Sequence, residues 1–315
     1  MTESASFKAA GVIPACLLPF TSDFEIDRKA FLSHLNDVAG VDGVTAVTVN
    51  GHASEVSSCT FDEQKALLIL SAETLENRLP IINGVFTDST LEAQKIAKMS
   101  EREGASALLV FPPSLFSKGV QLKGEVALTH YKAIADVCDL PIIAFQYPVA
   151  GGAGYTIDTL LALADQVPTL IAIKDYCGDP AYHERTVRAL HSAPRRISVL
   201  TTHSSWLLQS LAIGCDGILS GSGSVVANLQ VALWQAFEIG DLQLAREIAG
   251  QIYHWTRTVY IPPDFDSHLR MKVALTLLGK LPNAVVRPPL SQLSEVEIGA
   301  IGNGLRAAGL LSANE

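Results

Sequence analysis

The chain is predicted to fold as a (β/α)8 barrel with a C-terminal helical extension, and three observations carry that expectation. Eight short β-branched or apolar runs recur about 20 to 36 residues apart, room for one strand, one crossover helix and two loops. Between them lie segments with helix start signals and apolar periodicity. No G-x-G-x-x-G follows the first run, which argues against the doubly wound open sheet and for eight units closing on themselves.

The runs are VIPACLL (12–18), VTAVTVN (44–50), PIINGV (80–85), ALLVFP (107–112), PIIAFQY (141–147), TLIAIK (169–174), RISVLTT (196–202) and DGILS (216–220). Asp27 precedes RKAFLSHLNDV as a helix cap, Thr60 with Glu63 forms a capping-box pattern, and Asp88/Ser89 precede TLEAQKIAKM. After the eighth run the sequence stays helical through SVVANLQVALWQAFEIGD, LQLAREIAGQIYHWTRTVY, SHLRMKVALTLLGK and LSEVEIGAIGNGLRAAG. The barrel with its catalytic site is assigned to 1–235 and the extension to 236–315. No Ser/Gly-rich linker separates the two, so the extension is expected to pack on the barrel.

The 315 residues are 48% hydrophobic and 17% charged, too apolar for a disordered chain. The net charge of -9 has the wrong sign for a phosphate-backbone binder, so no nucleic-acid partner is expected. No uncharged stretch approaches the ~20 residues of a membrane span, and no targeting segment is evident at the start. Five scattered cysteines with no C-x-x-C pair suit a reduced, cytoplasmic chain. The aromatic positions Trp206, Trp234 and Trp255 read as core or interface.

In a barrel the reactive residues stand at the C-terminal ends of strands. Lys174 is the lysine that terminates an apolar strand. Desolvation there pushes an ammonium toward a usable free amine. Such an amine forms a Schiff base with a ketone, and the imine acts as an electron sink for the neighbouring carbon. The competing reading pairs Lys174 with Asp175 or Asp179 as a structural ion pair.

Four segments in order, GVIPACLLPFTSDFEID, Gly51-His52-Ala53-Ser54-Glu55, DLPIIAFQYP and IKDYCGD, resemble the dihydrodipicolinate synthase and N-acetylneuraminate lyase superfamily, the pyruvate-type class I lysine aldolases. The resemblance spans nearly the whole chain. It implies a (β/α)8 barrel with three C-terminal helices, a homotetramer or homodimer, no cofactor, and Lys174 as the Schiff-base residue. It also implies that the 51–55 loop receives a 2-oxo acid carboxylate, with the Ala53 and Ser54 N–H groups as donors.

The departures mark a divergent member. Phe145 stands where the family's proton-shuttling tyrosine normally sits. Tyr147, two residues on, shares its face of the strand about 6.6 to 7 Å further along. His52 replaces a proton-relay threonine and is a candidate general acid/base. Ala150 takes the place of an arginine that grips the second substrate's carboxylate, and Pro113 and Ser114 replace paired tyrosines, so true dihydrodipicolinate synthase activity is not expected.

Gly51, Ala53, Ser54, Phe145, Thr202, His203 and Ser220 complete the expected substrate-binding set around the catalytic Lys174, His52 and Tyr147. His203 could contact a substrate hydroxyl or carboxylate. With His52 it suggests a metal pair, but no carboxylate stands at ligand-like spacing, so no metal is expected. SGSGS (220–224) has the composition of a phosphate-holding turn, although the resembled family's substrates are usually unphosphorylated. Phe111, Phe116 and Phe145 near the expected mouth suit an aromatic or apolar aldehyde.

The resulting expectation is a Schiff-base lyase or aldolase acting on pyruvate or a pyruvate-derived 2-oxo acid, with an aldehyde as possible partner. Two alternatives are a 2-keto-3-deoxy sugar acid dehydratase and a non-catalytic paralogue that binds a 2-oxo acid without turnover.

Overall fold

The computed structural model describes residues 7–312; residues 1–6 and 313–315, the outer ends of the two expected units, lie outside the described residues. All eight expected strands form: β1 (Gly11–Pro14), β2 (Val47–Val49), β3 (Ile81–Val85), β4 (Ala107–Val110), β5 (Ile142–Gln146), β6 (Leu170–Asp175), β7 (Ser198–Thr201) and β8 (Gly217–Ser220). They pair in parallel in the order β1-β8-β7-β6-β5-β4-β3-β2. Between β1 and β2 the Cys16 N–H donates to Thr48 O at 2.8 Å and Ala15 bridges Thr48, which brings the two ends of the sheet together.

The alternating helices are α1 (Arg28–Ala39), α2 (Phe61–Leu75), α3 (Thr90–Arg102), α4 (Gly124–Ala135), α5 (Ile157–Gln166), α6 (Pro180–His191), α7 (Leu207–Ile213) and α8 (Gly223–Glu238). Their starts obey the chemistry of the cap. Asp27 accepts the Ala30 N–H at 2.9 Å, Thr60 and Glu63 close a reciprocal capping box, and Ser89, rather than Asp88, accepts the Glu92 N–H. Then follow α9 (Leu242–Val259), α10 (Ser267–Leu277) and α11 (Glu295–Ala307). No helix among the described residues is long and apolar enough to cross a membrane.

Period-two alternation divides the buried side chains into two layers. Val12, Val47, Leu108, Ile173 and Ile218 face outward against the helices. Ile13, Ile82, Leu109, Ile143, Ala172 and Leu219 fill the barrel interior. Burying each of the larger of these aliphatic side chains contributes about 1.5 to 3 kcal/mol. The interior cluster continues into Trp255, Leu269, Met271, Leu275 and Leu305 of α9, α10 and α11, so the extension shares a core with the barrel. That continuity sets α10 over the strand ends.

Candidate active site

Lys174 pairs in register with Phe145 of β5 and Leu200 of β7. Because Ala172 points inward and Ile173 outward, alternation sends Lys174 into the barrel and Asp175 away from it. Asp175 meets α6 instead, its Oδ2 2.7 Å from His183 Nδ1, and Asp179 is consumed capping α6 through the Ala181 and Tyr182 N–H groups. Neither carboxylate is the ion-pair partner that the sequence left open. The Lys174 side chain is 7% exposed, its Nζ lies 4.9 Å from the Phe145 ring centroid, and burial alone lowers the amine from 10.5 to about 7.

The loop after β2 carries His52 on a strained path. Asn50 and Glu55 both adopt left-handed backbone conformations, φ 54° and 50°, each an arrangement that costs about 1 to 2 kcal/mol for a residue with a side chain. Side chains hold it. Asn50 Nδ2 donates to Gln64 O at 2.9 Å and to Asn83 Oδ1 at 2.8 Å. The loop passes so close to β3 that a Cβ on Gly84 would stand 1.9 Å from Asn50 O. At the other end, Glu55 pairs with Lys272 of α10 and accepts the Arg287 N–H at 3.2 Å, while Arg287 also pairs with Glu63. The extension therefore latches the loop to the barrel.

His52 stacks on Phe111 with ring centroids 4.4 Å apart and meets the edge of Phe86 at 5.4 Å. Its Nε2 lies 3.0 Å from the Tyr147 hydroxyl. Burial first, then the neighbouring His268 and Lys174, lowers His52 to about 3, and burial raises Tyr147 above the ordinary phenol range. Both are neutral at physiological pH, a phenol and an imidazole joined by one hydrogen bond beside a neutralisable amine.

These side chains open on a cavity of about 420 Å³. Lys174, His52, Ala53, Phe145, Tyr147 and Thr202 of the expected set line it, with Phe86, Tyr176 and Gly221. Sequence reasoning missed the wall supplied by the extension: Tyr260, Asp264, Phe265, Ser267 and His268. Tyr176 donates to Asp264 Oδ2 at 3.2 Å, joining the end of β6 to that wall. Lys174 is the one Lys or Arg among the described residues that line the cavity, whereas Glu55 and Asp264 bring carboxylates.

Several expected contributors stand elsewhere. Gly51 lies behind the loop, against Thr48 and Phe111. The Ser54 N–H closes the turn onto Gly51 O at 3.0 Å and its hydroxyl donates to Cys16 O at 2.8 Å, so Ser54 is not a free donor. Ser220 follows inward-facing Leu219 and faces outward, its hydroxyl 3.0 Å from Ser204 Oγ. The phosphate-turn reading fails with it. Ser222 accepts the Trp255 indole N–H and Ser224 donates to Ala15 O, which uses the remaining hydroxyls of that turn. Phe116 packs in the outer layer against His130.

His203 is likewise directed away from the cavity. It stacks on Trp206 at 3.9 Å, and its Nε2 accepts the Gly178 N–H at 3.1 Å. Contrary to the sequence spacing, a carboxylate does approach it: the ligand-type atoms of Asp175, Cys177 and His203 lie within 4.8 Å of one another. Asp175, however, already accepts from the Cys177 N–H and bonds His183, so the group is held together by internal hydrogen bonds.

Comparison with known proteins agrees with this architecture over nearly all of the chain. The 4-hydroxy-tetrahydrodipicolinate synthase of Rhizobium meliloti is 29% identical over 96% of this chain and 99% of its own, and that of Methanopyrus kandleri 27% over 97% and 98%. The crystal structure of dihydrodipicolinate synthase from Thermotoga maritima superposes with a TM-score of 0.88 at 26% identity, covering 96% of this chain and 99% of that one. A monomeric dihydrodipicolinate synthase variant gives a TM-score of 0.87 at 26% identity, over 96% of this chain and 97% of its own. With the profile of the dihydrodipicolinate synthetase family matching residues 8–308, the chain belongs to that family.

Proposed function

We propose that this protein is a Schiff-base lyase or aldolase that acts on pyruvate or a pyruvate-derived 2-oxo acid and joins it to, or releases from it, an uncharged apolar aldehyde. The observation that carries the reading is a buried, unpaired lysine amine lowered to about 7 at the floor of an open cavity, with a neutral imidazole–phenol pair beside it.

Lys174 Nζ adds to the C2 carbonyl, and the carbinolamine loses water to give the iminium. Removal of a C3 proton moves the C–H electron pair into the C2–C3 bond and yields the enamine. In the forward direction the enamine C3 attacks the aldehyde carbon, the new alkoxide takes a proton, and water hydrolyses the iminium to return the free amine. Cleavage is the reverse. The His52–Tyr147 pair transfers the proton, with the phenol supplying what Phe145 cannot. The Ala53 N–H, which meets no backbone acceptor among the described residues, receives the keto acid's carboxylate.

The choice of aldehyde follows from charge and shape. Six phenylalanine and tyrosine side chains line the cavity: Phe86, Phe145, Tyr147, Tyr176, Tyr260 and Phe265. No arginine lines it, and Asp264 stands there as a carboxylate, so a carboxylated aldehyde would meet repulsion instead of the charge-assisted contact it needs. This separates the proposed reaction from the one named for the synthase relatives.

Exchange of the pyruvate methyl protons with solvent deuterium, followed by NMR, tests enamine formation. Exchange catalysed by the protein and slowed about 10²- to 10⁴-fold in Tyr147→Phe or His52→Ala supports the assignment. No exchange above background would favour a binding paralogue. A panel pairing pyruvate with benzaldehyde-type and carboxylated aldehydes, and offering 2-keto-3-deoxy acids alone, separates aldolase from dehydratase.

A further inference from the structure

His268 stands in the first turn of α10 and lines the same cavity as Lys174, although it comes from the extension. It is close enough to feel the charge of Lys174 and of Lys272 on its own helix, and His52 in turn feels His268. Among the described residues no hydrogen-bond partner meets its ring. The ring is half-buried and faces the cavity, whereas the fully buried rings of His183 and His203 are satisfied by the protein itself.

The ring lies beside Gly221, just past β8. A Cβ built there would lie 3.6 Å from His268 Nε2 and 3.5 Å from the Ala53 Cβ. Glycine thus leaves a gap between an unpartnered imidazole on one side and the 51–55 loop on the other. The Ala53 methyl borders that gap; a carboxylate there would have the imidazole as a donor on one side and, on the other, the 51–55 loop, whose Ala53 N–H meets no backbone acceptor among the described residues.

We propose that His268 is a substrate-binding residue: its imidazole donates to the carboxylate of the 2-oxo acid opposite Ala53, in the gap that Gly221 leaves. This inference rests on the proposed imine chemistry at Lys174 and names the second half of its carboxylate seat. The extension then completes the substrate site as well as latching the loop. It also accounts for a carboxylate held without an arginine, because the iminium supplies the adjacent positive charge.

The test uses the whole protein and pyruvate as the probe. Pyruvate is titrated against the wild type, His268→Leu, His268→Gln and Gly221→Ala, with borohydride-trapped Lys174 adduct read by mass spectrometry and folding checked by thermal melting. The added methyl of Gly221→Ala makes only ordinary van der Waals contacts, so this variant should keep the fold while filling the seat. The expected result is half-saturating pyruvate raised about 10- to 100-fold in His268→Leu and in Gly221→Ala, with the adduct yield at saturation unchanged and His268→Gln recovering most of the affinity. An unchanged half-saturation in either of the first two folded variants overturns the inference. Loss of the adduct at every pyruvate concentration in His268→Leu, with Gln no better, overturns it as well, since the residue would then serve the chemistry. Absence of the adduct in the wild type, by contrast, removes the imine itself.

Discussion

Replacing Lys174 with methionine should make the protein more stable, and by an amount that depends on pH. The amine is buried with no carboxylate partner, and burial lowers it from 10.5 to about 7. At about 1.4 kcal/mol per pH unit, the charged form is disfavoured in the fold by about 5 kcal/mol. Between pH 7 and 10.5 the unfolded chain holds a proton at this site that the folded chain has released. Wild-type stability therefore gains from this group as pH rises through that window, and the whole penalty is present below it. Methionine fills a similar volume without a charge. Urea unfolding of both proteins at several pH values from 6 to above 10 should show the variant ahead by about 5 kcal/mol at the acid end, with the advantage shrinking toward zero above pH 10.5. Other titrating groups cancel in the difference. A gap that stays constant with pH would mean that the amine titrates normally in the fold, and the nucleophile argument would go with it.

The same titration governs the chemistry. Imine formation at limiting pyruvate should rise tenfold per pH unit up to about 7 and level off above it, with no inflection near 6.5, because His52 and His268 stay neutral down to about 3 and about 4; stopped-flow trapping across pH 5 to 9 reads this directly. Glu55→Gln leaves the buried Lys272 amine with Val285 O but without its carboxylate partner, so unfolding free energy should fall by about 3 to 5 kcal/mol. Adding Lys272→Met should restore most of that loss, and an additive double variant would show that the pair does not couple.

The barrel was legible because a parallel strand buried on both faces is written in nearly continuous apolar letters, and eight such runs stand in this chain. Lys174 stood out as the lysine closing the apolar run TLIAIK, although Asp175 and Asp179 close behind it left a structural ion pair open on position alone. Of the misplaced residues, Ser220 and His203 were recoverable by parity. With Leu219 inward, Ser220 must face outward, and with Leu200 and Thr202 inward, His203 must as well.

The extension's contribution left a fainter trace. The Glu55–Lys272 pair joins residues 217 positions apart, and nothing local announces it except a lysine set inside the apolar stretch RMKVALTLL. His268 sits one turn before that lysine, on a helix whose faces are nearly all buried, so no amphipathic stripe marked which side looked into the cavity. Only the packing of α10 across the strand ends brings His268, Lys174 and the 51–55 loop to one place.

The most direct measurement is peptide mapping after the wild-type protein is incubated with pyruvate and sodium borohydride at pH 8. A reduced pyruvyl adduct confined to the peptide bearing Lys174, and absent from Lys174→Met, is the expected outcome. An unmodified Lys174 peptide, or an adduct spread over surface lysines, would contradict the account.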